Sequence, residues 1–306
     1  METPSSSTHC ISVDAANLRS WPLPMPSGDG DKEVRGHVLV LGGSREMPGA
    51  VILAATAALR AGAGKLTIAT GASVAQLVAM AMPESRVLGL PENERGGFAA
   101  GAMDQLDPVA DKVDAVLIGP GMQDEDATAR LVGPFLQRLA GSEASVVLDA
   151  NAMGIVRQNN FRFEQPVILT PHAGEMAHLT GAAKEEVASS PERHAASAAA
   201  RWNAVVALKG ARTLIIGPGG ERWQHEGGNV GLASSGSGDV LAGIIVGLCA
   251  RGATLPQATC WGVALHAGAG EVLAERMGLL GYLARELPAE IPALLQRFAR
   301  PGDAPV

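Results

Sequence analysis

The sequence predicts an α/β fold, a three-layer, doubly wound and mostly parallel sheet. Three observations predict it. Short, wholly apolar segments (VLVL, AVLI, VVL, VVAL) alternate with longer Ala-rich stretches of helical character, as when helices cover both faces of a parallel sheet. Their order along the chain is strand, helix, strand, helix. Finally, Gly, His, Lys and Asp follow the strands, where such a sheet keeps its ligand crevice.

The elements follow in order. The apolar runs place strands at His37–Leu41, Leu66–Thr70, Ser85–Leu90, Ala115–Gly119, Ser145–Asp149, Val167–Thr170, Ala204–Leu208 and Thr213–Ile216. Helices are predicted near 49–62, 72–80, 126–139, 174–180, 191–202, 237–251 and 256–276. Residues 1–34, rich in Ser, Pro, Gly and Asp, read as a loose or draped tail. No repeat or linker divides the remainder, so 35–306 reads as a single domain. Five strand ends carry the informative residues: Gly42–Ser44, Gly119–Gly121, Asp149–Asn151, Thr170–His172 and Lys209–Gly210.

Composition narrows the function class. The chain has 306 residues, 47% of them hydrophobic, but aromatic residues contribute only 3% while Gly alone numbers 38. Few rings argue against an all-β sandwich and against single-strand nucleic-acid binding. A formal net charge of −7 disfavours nucleic acid and anionic lipid as partners. The three cysteines, Cys10, Cys249 and Cys260, form no CxxC pair, which suits reduced thiols. No secretory signal or bilayer-length apolar run is legible, so a cytoplasmic location is expected.

Several motifs fail on inspection. Gly62–Leu66 resembles the end of a phosphate-binding P-loop, but Leu66 stands where Ser or Thr would hold a metal. The segment also precedes a strand, so it reads as a helix C-cap. His172, Glu175 and His178 do not form the HExxH zinc pattern, so no protein metal site is expected. There is no GxSxG nucleophile elbow. Gly236, Gly238 and Gly243 lack the spacing and the leading strand of a dinucleotide fingerprint.

One segment succeeds. In 227–252 a Gly/Ser loop runs through GSGD (236–239) into an apolar helix. Amides at a helix N-terminus lack intrahelical partners and bind anions, so Gly236, Ser237 and Gly238 form a candidate anion hole. Gly236 and Gly238 lack the Cβ atoms that would obstruct close approach. Asp239 beside a phosphate is repelled unless it has a task. The natural one is to take a proton from a hydroxyl that attacks a phosphoryl group.

GSGD ahead of an apolar helix resembles the anion hole of the ribokinase-like superfamily. The segments 42–70, 116–122 (VLIGPGM), 147–153 (VLDANAM), 168–176 (ILTPHAGEM), 208–215 (LKGARTLI) and 228–243 occur in this order. Together they resemble the ADP-dependent (S)-NAD(P)H-hydrate dehydratase family over roughly residues 35–275. That resemblance implies a ribokinase-like fold and a lyase that repairs NADHX and NADPHX, the hydrated reduced nicotinamide cofactors. It implies ADP as co-substrate, Mg²⁺ as cofactor, AMP and phosphate as products, a homotetramer, and an NAD(P)H-hydrate epimerase as functional partner. Residue by residue, it implies that Ala50, Gly121 and His172 line the hydrate site and that Asp239 meets the nicotinamide hydroxyl. Lys209, Gly210, Ala211, Arg212, Thr213 and Gly238 would hold the AMP moiety. Glu175 would order Mg²⁺ through water or serve as a helix-start acid. Asn151 and Met153 stand where the family usually has Asp and Leu. Leu232, Ser234 and Ser235 vary the usual run before GSGD.

Two alternatives remain at this point. One is a ribokinase-like small-molecule kinase acting on a vitamin precursor, which would share GSGD. The other is a nucleotide-binding regulatory protein without catalysis, against which the intact Asp239 and Lys209 speak.

Overall fold

The structure is a computed structural model, and it describes residues 10–25 and 33–299. Ten strands form one sheet: β1 (Ile11–Ser12), β2 (His37–Leu41), β3 (Lys65–Gly71), β4 (Arg86–Leu90), β5 (Ala115–Ile118), β6 (Ser145–Leu148), β7 (Val167–Leu169), β8 (Ala204–Leu208), β9 (Arg212–Ile216) and β10 (Arg222–Glu226). Their spatial order is β1-β10-β9-β8-β7-β6-β5-β2-β3-β4. All pairs from β8 through β4 are parallel, whereas β9 runs antiparallel to both β8 and β10.

The eight expected strands are therefore all present, two with the expected bounds and six with ends displaced by one residue. β1 and β10 were not anticipated. β10 carries Arg-Trp-Gln-His-Glu, too polar to read as an interior strand, and β1 is two residues long. β1 pairs parallel to β10, so the first described residues join the sheet edge. Val13 and Leu18 behind them are buried.

Alternation along each strand feeds two cores. Val38, Val40 and Leu117 face one, while Leu39, Leu41, Val116 and Ile118 face the other. The first core is closed by α1 (Ala15–Ser20), α2 (Gly49–Arg60) and α3 (Ala75–Ala81). The second is closed by α4 (Ala102–Ala110), α5 (Glu125–Leu139), α6 (Ala173–Thr180), α7 (Lys184–Ser189) and α8 (Pro191–Trp202). From the C-terminal part, α9 (Ser237–Ala250), α10 (Leu255–Met277) and α11 (Leu287–Ala299) return to the first core. Helices α1, α4, α7 and α11 were not foreseen; Pro108 and Pro292 interrupt the helical pattern of α4 and α11.

The small-residue composition is explained where α2 crosses α9. A Cβ built on Gly243 would lie 2.2 Å from the Ala54 carbonyl oxygen, and one on Gly247 2.5 Å from that of Ala58. The two helices thus touch backbone to backbone. That contact sets α9 so that its N-terminus reaches the carboxyl edge of the sheet. None of the described helices is long and apolar enough to cross a membrane.

Candidate active site

The carboxyl ends of β2, β5, β6, β7 and β8 lie on one edge because these strands are mutually parallel. All five predicted strand-end segments therefore share one rim. Over β6–β9 this rim opens into a cavity of about 880 Å³. Among the expected site residues, His172, Lys209, Gly210, Ala211, Thr213, Gly236, Ser237, Gly238 and Asp239 all line it.

Three expected residues lie elsewhere. Arg212 alternates to the opposite side of β9 from its neighbours; its exposed side chain pairs with Glu226 at 3.9 Å and borders a separate surface hollow with Arg222. Its side chain is therefore outside the cavity. Ala50 and Gly121 meet each other over β2 and β5. A Cβ on Gly121 (φ 66°) would sit 2.8 Å from that of Ala50 and 2.6 Å from the Met47 carbonyl oxygen. The Gly43 amide donates to the Pro120 carbonyl at 2.6 Å, joining these two loops. A hollow of about 320 Å³, which shares Ala150, His172 and Glu175 with the large cavity, extends the site past Asn151.

The charged centre is built by three strand ends and one helix start. Thr170 donates from Oγ1 to Asp149 Oδ1 at 2.6 Å, fixing the buried carboxylate that follows β6. Lys209 extends from the end of β8, where its amide donates to the Pro171 carbonyl at 2.8 Å. Its ammonium lies 3.6 Å from Asp149 Oδ1 and 3.7 Å from Glu175 Oε2. Burial pushes the Lys209 pKa down, but Asp149 and Glu175 outweigh it, and the net direction is up. This cation is therefore held charged.

Glu175 and His172 cap α6 reciprocally. The His172 amide donates to Glu175 Oε2 at 2.7 Å, and the Glu175 amide donates to His172 Nδ1 at 3.0 Å. Because Nδ1 accepts, the neutral ring carries its proton on Nε2. Glu175 is thus a helix-start acid, and the same carboxylate faces Lys209. His178, by contrast, turns to Glu125 at 3.2 Å. Among the described residues no group of three His, Cys, Asp or Glu side chains is placed to hold a metal.

Asp239 sits in the first turn of α9, where Gly236 (φ 89°) supplies the left-handed N-cap. Burial raises its carboxyl pKa to about 7; Asp149 and Glu175 add to the rise, and Lys209 opposes it. A carboxyl poised near neutrality in a cavity is suited to proton abstraction. Gly238 leaves room beside it, since a Cβ there would come to 3.4 Å of Lys209 Nζ. The expected anion hole changes in one detail. The Ser237 amide donates to the Ser234 carbonyl at 3.2 Å, so Ser237 presents its hydroxyl, whereas Gly238 and Asp239 keep first-turn amides without intrahelical acceptors.

Three features were not legible locally. Asn151 donates from Nδ2 to the Met122 carbonyl at 2.8 Å, tying the loop after β6 to the loop after β5. An ionised Asp there could not donate. Ala150, half-buried on the cavity wall, has φ 47°, a strained conformation of the kind found at functional sites. His266 on α10 also lines the cavity, and its ring nitrogen Nε2 lies 2.9 Å from Ser237 Oγ. An isolated His in an Ala- and Gly-rich helix gives no sequence signal of this.

A family model described as NAD(P)H-hydrate dehydratase matches residues 38–293. An ADP-dependent (S)-NAD(P)H-hydrate dehydratase of Xanthomonas campestris is 49% identical over 288 residues, covering 94% of this chain and 97% of that protein. A bifunctional NAD(P)H-hydrate repair enzyme of Moorella thermoacetica is 38% identical over 94% of this chain, which spans 54% of that longer protein. The crystal structure of the ADP/ATP-dependent NAD(P)H-hydrate dehydratase from Bacillus subtilis, co-crystallised with ATP/Mg²⁺, superposes with a TM-score of 0.81 at 30% identity, covering 95% of this chain and 100% of that one. With its mixed sheet, its GSGD helix start and the residues of its rim, this chain belongs to the NAD(P)H-hydrate dehydratase family, and its fold is ribokinase-like.

Proposed function

We propose that the protein is a lyase that uses ADP to dehydrate the S epimer of NADHX or NADPHX to NADH or NADPH, releasing AMP and phosphate. The observation that carries this reading is Asp239, a carboxyl with a pKa of about 7 at the N-terminus of α9, in one cavity with Lys209 and Gly238. Ionised Asp239 takes the proton from the hydroxyl of the hydrated nicotinamide ring. The freed oxygen forms a bond to the β-phosphorus of ADP as the bridging P–O bond to AMP breaks. Amides of Gly238 and Asp239 and the Lys209 ammonium receive the charge that moves onto the phosphoryl oxygens. The phosphorylated ring then expels phosphate: its C–O bond breaks, a proton leaves the neighbouring carbon, and the dihydronicotinamide double bond returns.

Lys209, Gly210, Ala211, Arg212, Thr213 and Gly238 hold the AMP moiety, Arg212 through its backbone. His172, on the border of both hollows, lines the hydrate site, with Ala50 and Gly121 contributing from the joined loops after β2 and β5. Mg²⁺ fits this donor set as a companion of the nucleotide, since it binds through phosphates, waters and one or two carboxylates. Glu175 is the carboxylate that borders both hollows. When bound, the ion would neutralise phosphate charge. Residues 35–306 form the catalytic domain, to which β1 and α1 add an edge strand and part of the first core. Preference for the S epimer calls for an epimerase as functional partner, and the unit works as a cytoplasmic homotetramer.

The test incubates the protein with each pair of ADP or ATP and NADHX or NADPHX, following NAD(P)H absorbance and the nucleotide product. AMP and phosphate appearing with NADH, and only the S epimer consumed, is the expected result. A stable phosphorylated product from a vitamin precursor would instead favour a kinase. Tight ADP binding without turnover of any pair would overturn the enzymatic reading.

A further inference from the structure

The Ser237 amide is engaged by the Ser234 carbonyl, so the residue at the heart of the anion hole lacks the donor that its position would normally offer. Its hydroxyl is placed to compensate. Ser237 is buried, and Oγ lies 2.9 Å from His266 Nε2. His266 projects from α10 into the same cavity as Lys209, Gly238 and Asp239. Ser237 is its one hydrogen-bond partner among the described residues. Burial pushes the His266 pKa down to about 4; a hydrogen bond to the Ser237 backbone opposes the fall, and the Lys209 charge adds a smaller push downward. The ring is therefore neutral at pH 7 and carries a single N–H.

A neutral imidazole and a hydroxyl have two protons between them and share one hydrogen bond, which uses one proton. One donor is always left over. When Nε2–H donates to Ser237 Oγ, the serine O–H is the spare donor, and it sits at the first position of α9 beside the Gly238 and Asp239 amides.

Resting on the dehydratase reading above, we propose that the Ser237 hydroxyl is a donor to the phosphoryl group in transit, and that His266 is the positioning residue that frees and aims it. A bound phosphoryl oxygen selects this arrangement because it accepts but cannot donate. Removing one preorganised donor of this type lowers turnover by about 10²-fold. ADP affinity changes much less, because the donor acts on charge that grows in the transition state.

The experiment measures kcat and KM for ADP, ADP affinity by calorimetry, and thermal unfolding for S237A, H266L, H266Q and S237A/H266L. S237A and H266L are each expected to lower kcat by about 10²-fold with KM for ADP within about threefold. The double variant should lose no more than either single one, since both act through one hydroxyl. H266Q, whose amide can donate from nearly the same place, should recover about tenfold of the H266L loss. Full kcat in S237A, or fully multiplicative losses in the double variant, would overturn the proposal. So would a loss in H266L accompanied by an equal loss of ADP affinity. These outcomes are separable from failure of the dehydratase reading, because in that case the unaltered protein itself would not turn over ADP and NADHX.

Discussion

The pKa of Asp239 makes the mechanism quantitative. An unperturbed Asp, at 3.8, would be ionised throughout the neutral range. Here burial and the neighbouring Asp149 and Glu175 carboxylates raise the pKa to about 7. If ionised Asp239 is the base, kcat/KM should follow its ionised fraction, rising about tenfold between pH 6 and pH 8 and levelling above. Replacing Asp239 with Asn removes the base and should lower kcat by at least about 10²-fold. It should also stabilise the fold. The folded state favours protonated Asp239, so that stabilisation is complete below 3.8 and is lost as pH rises through 7. At pH 8 the loss has a linkage ceiling of about 4 kcal/mol, from roughly three pKa units at 1.36 kcal/mol each. Asn carries no charge to bury, although it forgoes the attraction of Lys209, so D239N should gain part of that amount. Recovery of NADH absorbance against pH, with urea unfolding at pH 5 and pH 8, provides the assay. A flat pH profile, or a D239N variant with near-normal turnover, would refute the reasoning.

Other perturbations follow from the same geometry. Lys209 lowers the Asp239 pKa, so K209Q should move the pH profile upward as well as weaken ADP binding, both visible in kinetics and calorimetry. The same variant leaves Asp149 and Glu175 without their shared cation and should lower stability by about 3 kcal/mol. Gly243→Ala places a methyl group 2.2 Å from the Ala54 carbonyl oxygen and should cost at least about 1–3 kcal/mol, measured by urea unfolding. Asn151→Asp removes the donor to the Met122 carbonyl. It should lower stability by about 1–3 kcal/mol, and a thermal melt shows the change directly.

The sequence was most informative where a residue's neighbours along the chain decide its state. His37–Leu41 and Ala204–Leu208 are strands with the predicted bounds because a continuous apolar run can only be buried on both faces. The Pro191–Trp202 helix matches for a similar local reason, with Pro in its first turn. β10 escaped because its polar residues gain strand geometry only by pairing with β9 and β1. Helices α4 and α11 escaped because packing against the two cores compensates for a proline that local propensity counts as a break.

The site divides along the same line. By itself the sequence determined the doubly wound architecture, the rim of strand ends, the GSGD helix start and Asp239 within it. Each of these is written in adjacent residues. Only the tertiary structure decided that Lys209 lies between Asp149 and Glu175, that Arg212 turns away from the cavity, and that His266 reaches Ser237. It also decided that Asp239 titrates near 7 instead of near 4. These are matters of long-range approach and of the low dielectric that burial creates. A charge's energy depends on everything packed around it, and that environment exists only once the sheet, α9 and α10 have come together.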